Sequence, residues 1–291
     1  MPVRLSDGRF LRYKVQMIDP LLAEKLRACR NLVVFSGAGM SAESGIPTFR
    51  DAQTGLWAKF NPAEVASSDA FRNNPQLVWD WYVHRAEFVR KAKANAGHVA
   101  VARLQDLVPQ VTVITQNIDG LHQQAGSRDV LELHGSLHRL KAFVDTDEIF
   151  AGDSSPVICH VCNGYAVHEH CDPYASKDDL TAIQLKAGPV PRCPCCVALL
   201  RPDIVWFGEP LDIDILDNAM RAADQCDALI CIGSSLEVQP AASIPFRAKW
   251  GKAVVIEINP EPTDLSVEAD VFLQGKSAEI LPVFIKQVWG A

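Results

Sequence analysis

The 291-residue sequence contains no apolar run approaching the ~20 residues that a membrane-spanning helix needs. Its N-terminal stretch, MPVRLSDGRFLRYKVQMIDP, has no apolar core of the kind that marks a secretory signal. Basic residues are not in excess: 28 Lys and Arg against 35 Asp and Glu give a net charge of −7, so no basic face for nucleic acid is expected. There is no internal repeat and no low-complexity linker. These absences argue against membrane and direct nucleic-acid partners and make the cytoplasm the expected compartment; nothing in them addresses oligomeric state. In that compartment the nine cysteines would be reduced or metal-bound rather than disulfide-paired. A hydrophobic content of 48% and a charged content of 22% suit a globular enzyme, long enough for a large domain plus a small one.

What is present is an α/β alternation. Residues Pro20 to Arg30 have helical spacing, and a helical pattern runs from Asn61 to Arg103. Short buried strands are expected at Leu32–Phe35, Val111–Thr115, Val130–Leu133, Ile204–Phe207, Ala228–Ile232 and Ala253–Ile258, each ending in polar residues or glycine. In an open parallel sheet, ligand-binding groups sit at those carboxyl ends. The predicted architecture is therefore a Rossmann-like parallel-sheet domain, residues 1–139 and 202–291, with a helical insert at about 52–103. A small zinc-ribbon module interrupts it at 140–201, a loop-rich stretch holding six of the cysteines.

The segment LVVFSGAGMSAESGIPTFRD, residues 32–51, reads as a strand feeding a glycine-rich turn into a helix start. Gly37 and Gly39 allow tight dihedrals and close backbone approach, and free N–H groups at a helix start attract phosphate. A dehydrogenase would place an acidic residue about 20 positions on, ending a second strand. The region 55–69 has no strand, so that reading is rejected.

Cys159-x-x-Cys162 and Cys193-x-x-Cys196 form two pairs with 30 residues between them. Four thiolates satisfy tetrahedral zinc with no open position, which makes the site structural. Cys195 does not fit a C-x-x-C pair with Cys193, so Cys196 is favoured; His160, His168, His170 and Cys171 are nearby competitors, and free thiols are the alternative. His134 follows a strand and precedes Gly135, at a position open to a ligand. Taken alone, such a histidine is more often a satisfied core or surface residue than a base. With Asn117-x-Asp119 ending a neighbouring strand, it becomes a candidate to accept a proton from a sugar hydroxyl.

The motifs GAGMSAESGIPTFRD, TQNIDGLH, LHGS, RPDIVWFGE, GSSLEVQPA and INPEPT, with the two cysteine pairs, occur in the order found in the sirtuins. The chain resembles that family over about residues 28–285. Sirtuins are NAD-dependent protein-lysine deacylases, and the resemblance implies NAD as co-substrate and one structural zinc. It implies that Gly37, Ala38 and Gly39 cradle the pyrophosphate, that Arg50 holds a phosphate or ribose group, and that Phe49 shields the reactive ribose face. Gln116, Asn117 and Asp119 would line the ribose and nicotinamide pocket, with Asn117 and His134 catalytic. Gly233, Ser234 and Ser235 would form a second cofactor turn, and Asn259 would contact the adenosine ribose. An acylated-lysine protein would bind as an extended strand along Val205–Glu209, including Phe207, Gly208 and Glu209, and along Leu236–Val238. The resemblance implies that the acyl oxygen attacks the anomeric carbon as nicotinamide leaves, that His134 deprotonates a ribose hydroxyl to attack the imidate, and that hydrolysis releases free lysine and O-acyl-ADP-ribose.

Tyr82 and Arg85 lie three apart in WDWYVHRAEF, on one helical face. A phenol and a guanidinium fork make a charge-assisted clamp for a short carboxylate; an ordinary packed tyrosine and surface arginine are the alternative. In a subset of sirtuins this pattern accompanies succinyl- or malonyl-lysine, and Thr48 and Ala52 agree with that subset. Val197-Ala198 departs from the glycine pair that often follows the last zinc cysteine. Rival functions are a mono-ADP-ribosyltransferase or NADase using the same NAD cleavage, and a regulator without turnover, which would be expected to lack His134 or Asn117.

Overall fold

The structure is a computed structural model that describes residues 18–47, 65–143, 156–162, 165–167, 172 and 174–290. In chain order the described strands are β1 (Asn31–Ser36), β2 (Gln110–Thr115), β3 (Val130–Glu132), β4 (Gly135–Ala142), β5 (Pro156–Ile158), β6 (Tyr165–Val167), β7 (Leu200–Ile204), β8 (Ala228–Ile232), β9 (Val254–Asn259) and β10 (Val271–Gln274). The chain divides into two compact units. The first comprises residues 1–50, 92–134 and 211–291, the second residues 51–91 and 135–210.

The first unit is a six-stranded sheet in the order β10-β9-β8-β1-β2-β3, with every pairing parallel. Numbered along this unit alone, the order is 3-2-1-4-5-6, the doubly wound dinucleotide-binding arrangement. Both faces are covered, which is why its strands read as continuous apolar runs. Along β1, Leu32 and Val34 join one core with Val101, Leu104 and Phe284, while Val33 and Phe35 join the other with Ala219, Ile244 and Ala248. The alternation of successive side chains across a strand makes that division. Helices Pro20–Ala28, Ala96–Leu107 and Ser277–Trp289 supply the first core; Ile213–Gln225 and Ile244–Trp250 supply the second.

Helix starts are locally encoded. Asp19 caps Pro20–Ala28 by accepting the Leu21 amide at 2.7 Å, and Pro20 begins the helix where its missing N–H costs nothing. Asn95 and His98 form a reciprocal capping box at Ala96–Leu107.

Two sequence expectations are corrected. The strand expected at Ile204–Phe207 ends at Ile204 and belongs to β7, which pairs antiparallel with β4 in the second unit. The sixth strand of the parallel sheet is instead β10. Its four residues are too short to stand out as an apolar run. The helical pattern of 61–103, described from residue 65, is divided at Asn74 and at residues 92–95 into Ser68–Asn73, Pro75–Lys91 and Ala96–Leu107. The second unit also contains the β5–β6 pair and helix Ser68–Asn73. Residues 185–188 lie along Pro75–Lys91, where Trp79 Nε1 donates to the Lys186 carbonyl and Arg90 to that of Leu185, both at 3.0 Å.

Candidate active site and metal centre

In the sheet unit the expected residues gather at the carboxyl ends of the strands. The turn after β1 meets the turn after β8 at the point where strand order reverses. Gly37 N–H donates to the Ile232 carbonyl at 3.0 Å, and Gly39 N–H to that of Gly233 at 2.8 Å. A Cβ at Gly37 would lie 2.8 Å from Ser234 Cα, and one at Gly39 2.8 Å from Gly233 Cα. Gly233 has φ +59°, and its Cβ would lie 2.4 Å from the Met40 nitrogen. The glycines are thus required by contact between the two turns. The amides of Gly37 and Gly39 are both bonded within the fold. Ala38 N–H donates to no group among the described residues. The helix that follows is a single turn, Gly39–Ala42.

A polar chain runs outward from this crossing. Ser41 Oγ donates to Asp119 Oδ2 at 2.7 Å and accepts from Asn117 Nδ2 at 3.0 Å. Asp119 Oδ1 takes the Leu121 amide at 2.9 Å. Asn117 N–H donates to Thr115 Oγ1 at 3.0 Å, and Ser36 Oγ bonds both Thr115 and His122. Gln116 Nε2 donates to Ser234 Oγ at 2.8 Å, and Asn259 Nδ2 to the Ser234 carbonyl at 2.8 Å. Ser234 is buried and Ser235 exposed. The structure therefore brings Gln116, Asn117, Asp119, Ser234 and Asn259 into the same group of loops.

His134 follows Leu133, whose amide is held by the Thr115 carbonyl at 2.9 Å. Its Nδ1 lies 3.0 Å from the Gln116 carbonyl oxygen. A carbonyl only accepts, so Nδ1 carries the proton and Nε2 presents a lone pair. Burial lowers the pKa of His134 below its ordinary value, and the Gln116 carbonyl partly opposes that shift. At neutral pH the ring is a poised base with a defined tautomer.

Sequence reasoning missed Ser36, Ser41, Asn95, His98, Thr115 and His122. Asn95 Nδ2 donates to the Met40 carbonyl at 2.9 Å and to Ser44 Oγ at 3.0 Å, fastening the glycine turn to a helix start. His98 and His122 are buried with rings 5.0 Å apart. Burial lowers their pKa values to about 4 and about 3, His122 being lowered further by His98. The available clue was Ser36 and Thr115 closing apolar strands, and Asn95 standing just before a helix.

In the second unit, Cys159, Cys162, Cys193 and Cys196 are buried, and their Sγ atoms all lie within 4.8 Å of one another. Cys159–Cys193 and Cys162–Cys196 are separated by 3.9 and 3.8 Å. A tetrahedron with Zn–S of ~2.3 Å has an S···S edge of ~3.8 Å, so the four thiols fit zinc. Cys195 is outside the quartet and lies 3.8 Å from His160 Nδ1. Val197 takes φ +53° in the turn, the left-handed conformation that a glycine there would adopt without strain. Val197 N–H donates to the Cys193 carbonyl at 3.0 Å.

Tyr82 is buried, and its Oη accepts Trp206 Nε1–H at 2.8 Å. Arg85 Cζ lies 5.1 Å from the Trp81 ring centroid. Phe207 and Gly208 are exposed, and Phe207 N–H is bonded to the Ala66 carbonyl at 3.0 Å. The Glu209 carboxylate is occupied by Arg201, Ser68 and the Trp206 amide. In the sheet unit Leu236 has φ +57° and is half-buried. Phe49 and Arg50, with Thr48 and Ala52, lie outside the described residues, as do His168, His170 and Cys171.

Residues 37–240 match the model of the Sir2 family. The chain belongs to that family. It is 40% identical to the NAD-dependent protein deacylase of Pyrococcus abyssi over 92% of this chain and 96% of that protein. It is also 40% identical to NAD-dependent protein deacylase 1 of Pseudomonas aeruginosa, over 92% of this chain and 98% of the relative. Among solved structures, a Sir2 homologue–NAD complex superposes with a TM-score of 0.76 at 39% identity, covering 95% of this chain and 96% of the other. A Sir2 complex with a p53 peptide and NAD+ superposes at 0.70 and 28% identity, covering 93% and 98%. Among the described residues of this Sir2-family chain, no helix is long and apolar enough to cross a membrane.

Proposed function

We infer that this Sir2-family chain is an NAD-dependent protein deacylase acting on acylated lysine. The observation carrying the reading is His134, held as the Nδ1–H tautomer by the Gln116 carbonyl beside the β1–β8 crossing. NAD, when bound, would supply the ADP-ribosyl acceptor of the acyl group: acyl-lysine, NAD and one water would give free lysine, nicotinamide and O-acyl-ADP-ribose. His134 Nε2 accepts a ribose hydroxyl proton, and its lowered pKa keeps that lone pair available at neutral pH. Asn117 and Asp119, ordered through Ser41, present polar groups to the ribose and nicotinamide. Ala38, Ser234 and Ser235 bind phosphate, with Arg50 as its cation, Asn259 meets the adenosine ribose, and Phe49 covers the reactive face. Substrate peptide pairs through its main chain with Phe207 and Gly208, and separately with Leu236. The four-cysteine zinc is structural. We place the chain in the cytoplasm, where Cys159, Cys162, Cys193 and Cys196 would stay reduced for zinc.

The acyl group we assign is succinyl or malonyl in addition to acetyl. Tyr82 is neutral, since burial raises its pKa, and so donates; Arg85 supplies the charge. Mass spectrometry of one lysine peptide, unmodified, acetylated or succinylated, with and without NAD, tests both levels. Loss of both acyl groups only with NAD, with O-acyl-ADP-ribose formed and succinyl removed faster, is expected. Arg85→Met should abolish desuccinylation and spare deacetylation. Equal loss of both would sink the acyl assignment. NAD consumption independent of any acyl group would favour the ADP-ribosyltransferase or NADase.

A further inference from the structure

The assignment of Tyr82 and Arg85 to an acidic acyl group leaves open what aims the Tyr82 hydroxyl, and the inference that follows rests on that assignment. A phenolic oxygen both donates and accepts, so a freely rotating hydroxyl would show a carboxylate its lone pairs as readily as its proton. Here one role is already taken. Trp206 Nε1 is a donor only, and it lies 2.8 Å from Tyr82 Oη. Tyr82 must accept that bond, and its own proton is left for another acceptor. The two rings lie near parallel, 19° between planes and 6.4 Å between centroids.

Trp206 is itself held on every side. The Arg201 guanidinium lies over its face, with Cζ 3.6 Å from the centroid. Phe71 packs at 5.5 Å. Arg201 Nη2 donates to Glu209 Oε2 at 2.7 Å and to the Ile204 carbonyl at 3.2 Å. The same Glu209 oxygen accepts the Trp206 amide at 2.9 Å, and Glu209 Oε1 accepts Ser68 Oγ at 3.0 Å. Both the plane of the indole and the direction of its N–H are fixed. Glu209 and Arg201 thus frame the indole.

We propose that Trp206 is a positioning residue for acyl selectivity: by donating to Tyr82 Oη it commits the Tyr82 hydroxyl to donate to the carboxylate of an acidic acyl-lysine. An acetyl group carries no carboxylate to receive that proton, so the indole bond acts on succinyl or malonyl substrates selectively. A phenylalanine at 206 keeps an aromatic ring against Arg201 and Phe71 and removes the donor together with one ring of the indole, which is why the selectivity ratio rather than the absolute rate is read.

The test is a double-mutant cycle on the full chain at saturating NAD, comparing kcat/KM for one peptide carrying succinyl- or acetyl-lysine. Trp206→Phe should lower the succinyl-to-acetyl ratio on the order of ten-fold, mainly through succinyl KM, as expected for one misaligned charge-assisted hydrogen bond. Tyr82→Phe should lower it similarly, and the double variant should fall no further than Tyr82→Phe alone. The ratio is insensitive to the fraction of folded enzyme. An unchanged ratio in Trp206→Phe, in an enzyme whose Arg85→Met variant has lost desuccinylation, overturns the proposal and leaves the acyl assignment standing. A wild type indifferent to succinyl, with Arg85→Met lowering both activities alike, overturns the assignment and the proposal with it. Should Trp206→Phe be inactive, indole N–H resonances of the six 15N-labelled tryptophans decide instead. One resonance moving in Tyr82→Phe, and again with succinyl but not acetyl peptide, supports the proposal. No such resonance responding to succinyl peptide overturns it.

Discussion

In the sheet unit β1 is buried on both faces, and aliphatic side chains from five helices cover it. In the cysteine-bearing unit one core cluster has eight fully buried residues, of which five are cysteines: Cys159, Cys162, Cys193, Cys195 and Cys196. The first unit orders its loops by burying apolar area and then hangs polar residues on strand ends. Among the described residues, the second adds to its apolar core a thiol quartet suited to a metal and an aromatic–guanidinium cluster. Zinc ligation contributes folding free energy directly, whereas the sheet owes its order to area removed from water. The proposed roles follow the same division, with His134 and the proposed cofactor groups in the sheet unit and Tyr82, Arg85 and Trp206 in the cysteine-bearing unit.

Metal removal is the strongest way to break this contrast. A chelator, or Cys162→Ser, should unfold the second unit, since structural zinc is worth on the order of 10 kcal/mol in small modules. Hydrogen exchange should show protection lost around Cys159–Cys196 while β1, β2 and β8 stay protected, and metal analysis should find about one zinc per chain. Loss of protection in both units together would contradict the division.

Next in size is His134→Ala. Turnover should fall roughly 10²–10⁴-fold, the usual worth of a positioned general base. Unfolding free energy should fall by only about 1 kcal/mol, the worth of the lost Nδ1–H bond to the Gln116 carbonyl. The acid limb of kcat/KM should have its midpoint below 6.5, since burial lowers the His134 pKa and protonation removes the base. A midpoint above 6.5 would show that burial does not govern this ring.

Gly233→Ala should destabilise the sheet unit by about 1–3 kcal/mol, because its Cβ would meet Met40 backbone at 2.4 Å. Denaturant midpoints measure that change, and a neutral result would mean the two turns separate easily. The buried pair His98 and His122 gives a pH signature in the same unit. Unfolded histidines bind protons below about 6.5. In the fold they titrate only near about 4 and about 3. The unfolded state therefore binds more protons in that window, and stability should fall as pH drops from about 6.5 towards 4. His98→Gln should flatten that slope in guanidinium titrations at several pH values.

The smallest effect belongs to Val197→Gly. A β-branched residue at φ +53° is strained, and Val197 is exposed, so little packing is lost. The variant should stabilise the cysteine-bearing unit by up to about 1 kcal/mol, read as a higher melting temperature.

Much of this was legible along the chain because the signals are local. Apolar runs ending in Ser36, Thr115 and Ile232 mark parallel strands buried on both faces, and two C-x-x-C pairs mark a tetrahedral thiolate set. The fourth expected strand went astray because an apolar run does not say which sheet receives it: β7 pairs with β4 through backbone bonds that leave no trace in composition. The glycines of the β1 turn were recognisable, but their reason was not, since the obstructing atoms belong to Gly233 and Ser234, about 200 positions away. By itself, then, the sequence determined most element types, the two cysteine pairs as candidate metal ligands and the residue types available for chemistry, all governed by short-range periodicity and spacing, while the proximity of the four thiols singled out the quartet. The tertiary structure alone decided the tautomer of His134, set by the Gln116 carbonyl, and the Trp206–Tyr82 bond across 124 positions. Hydrogen-bond direction depends on which donor and acceptor meet in space, and only the folded chain settles that.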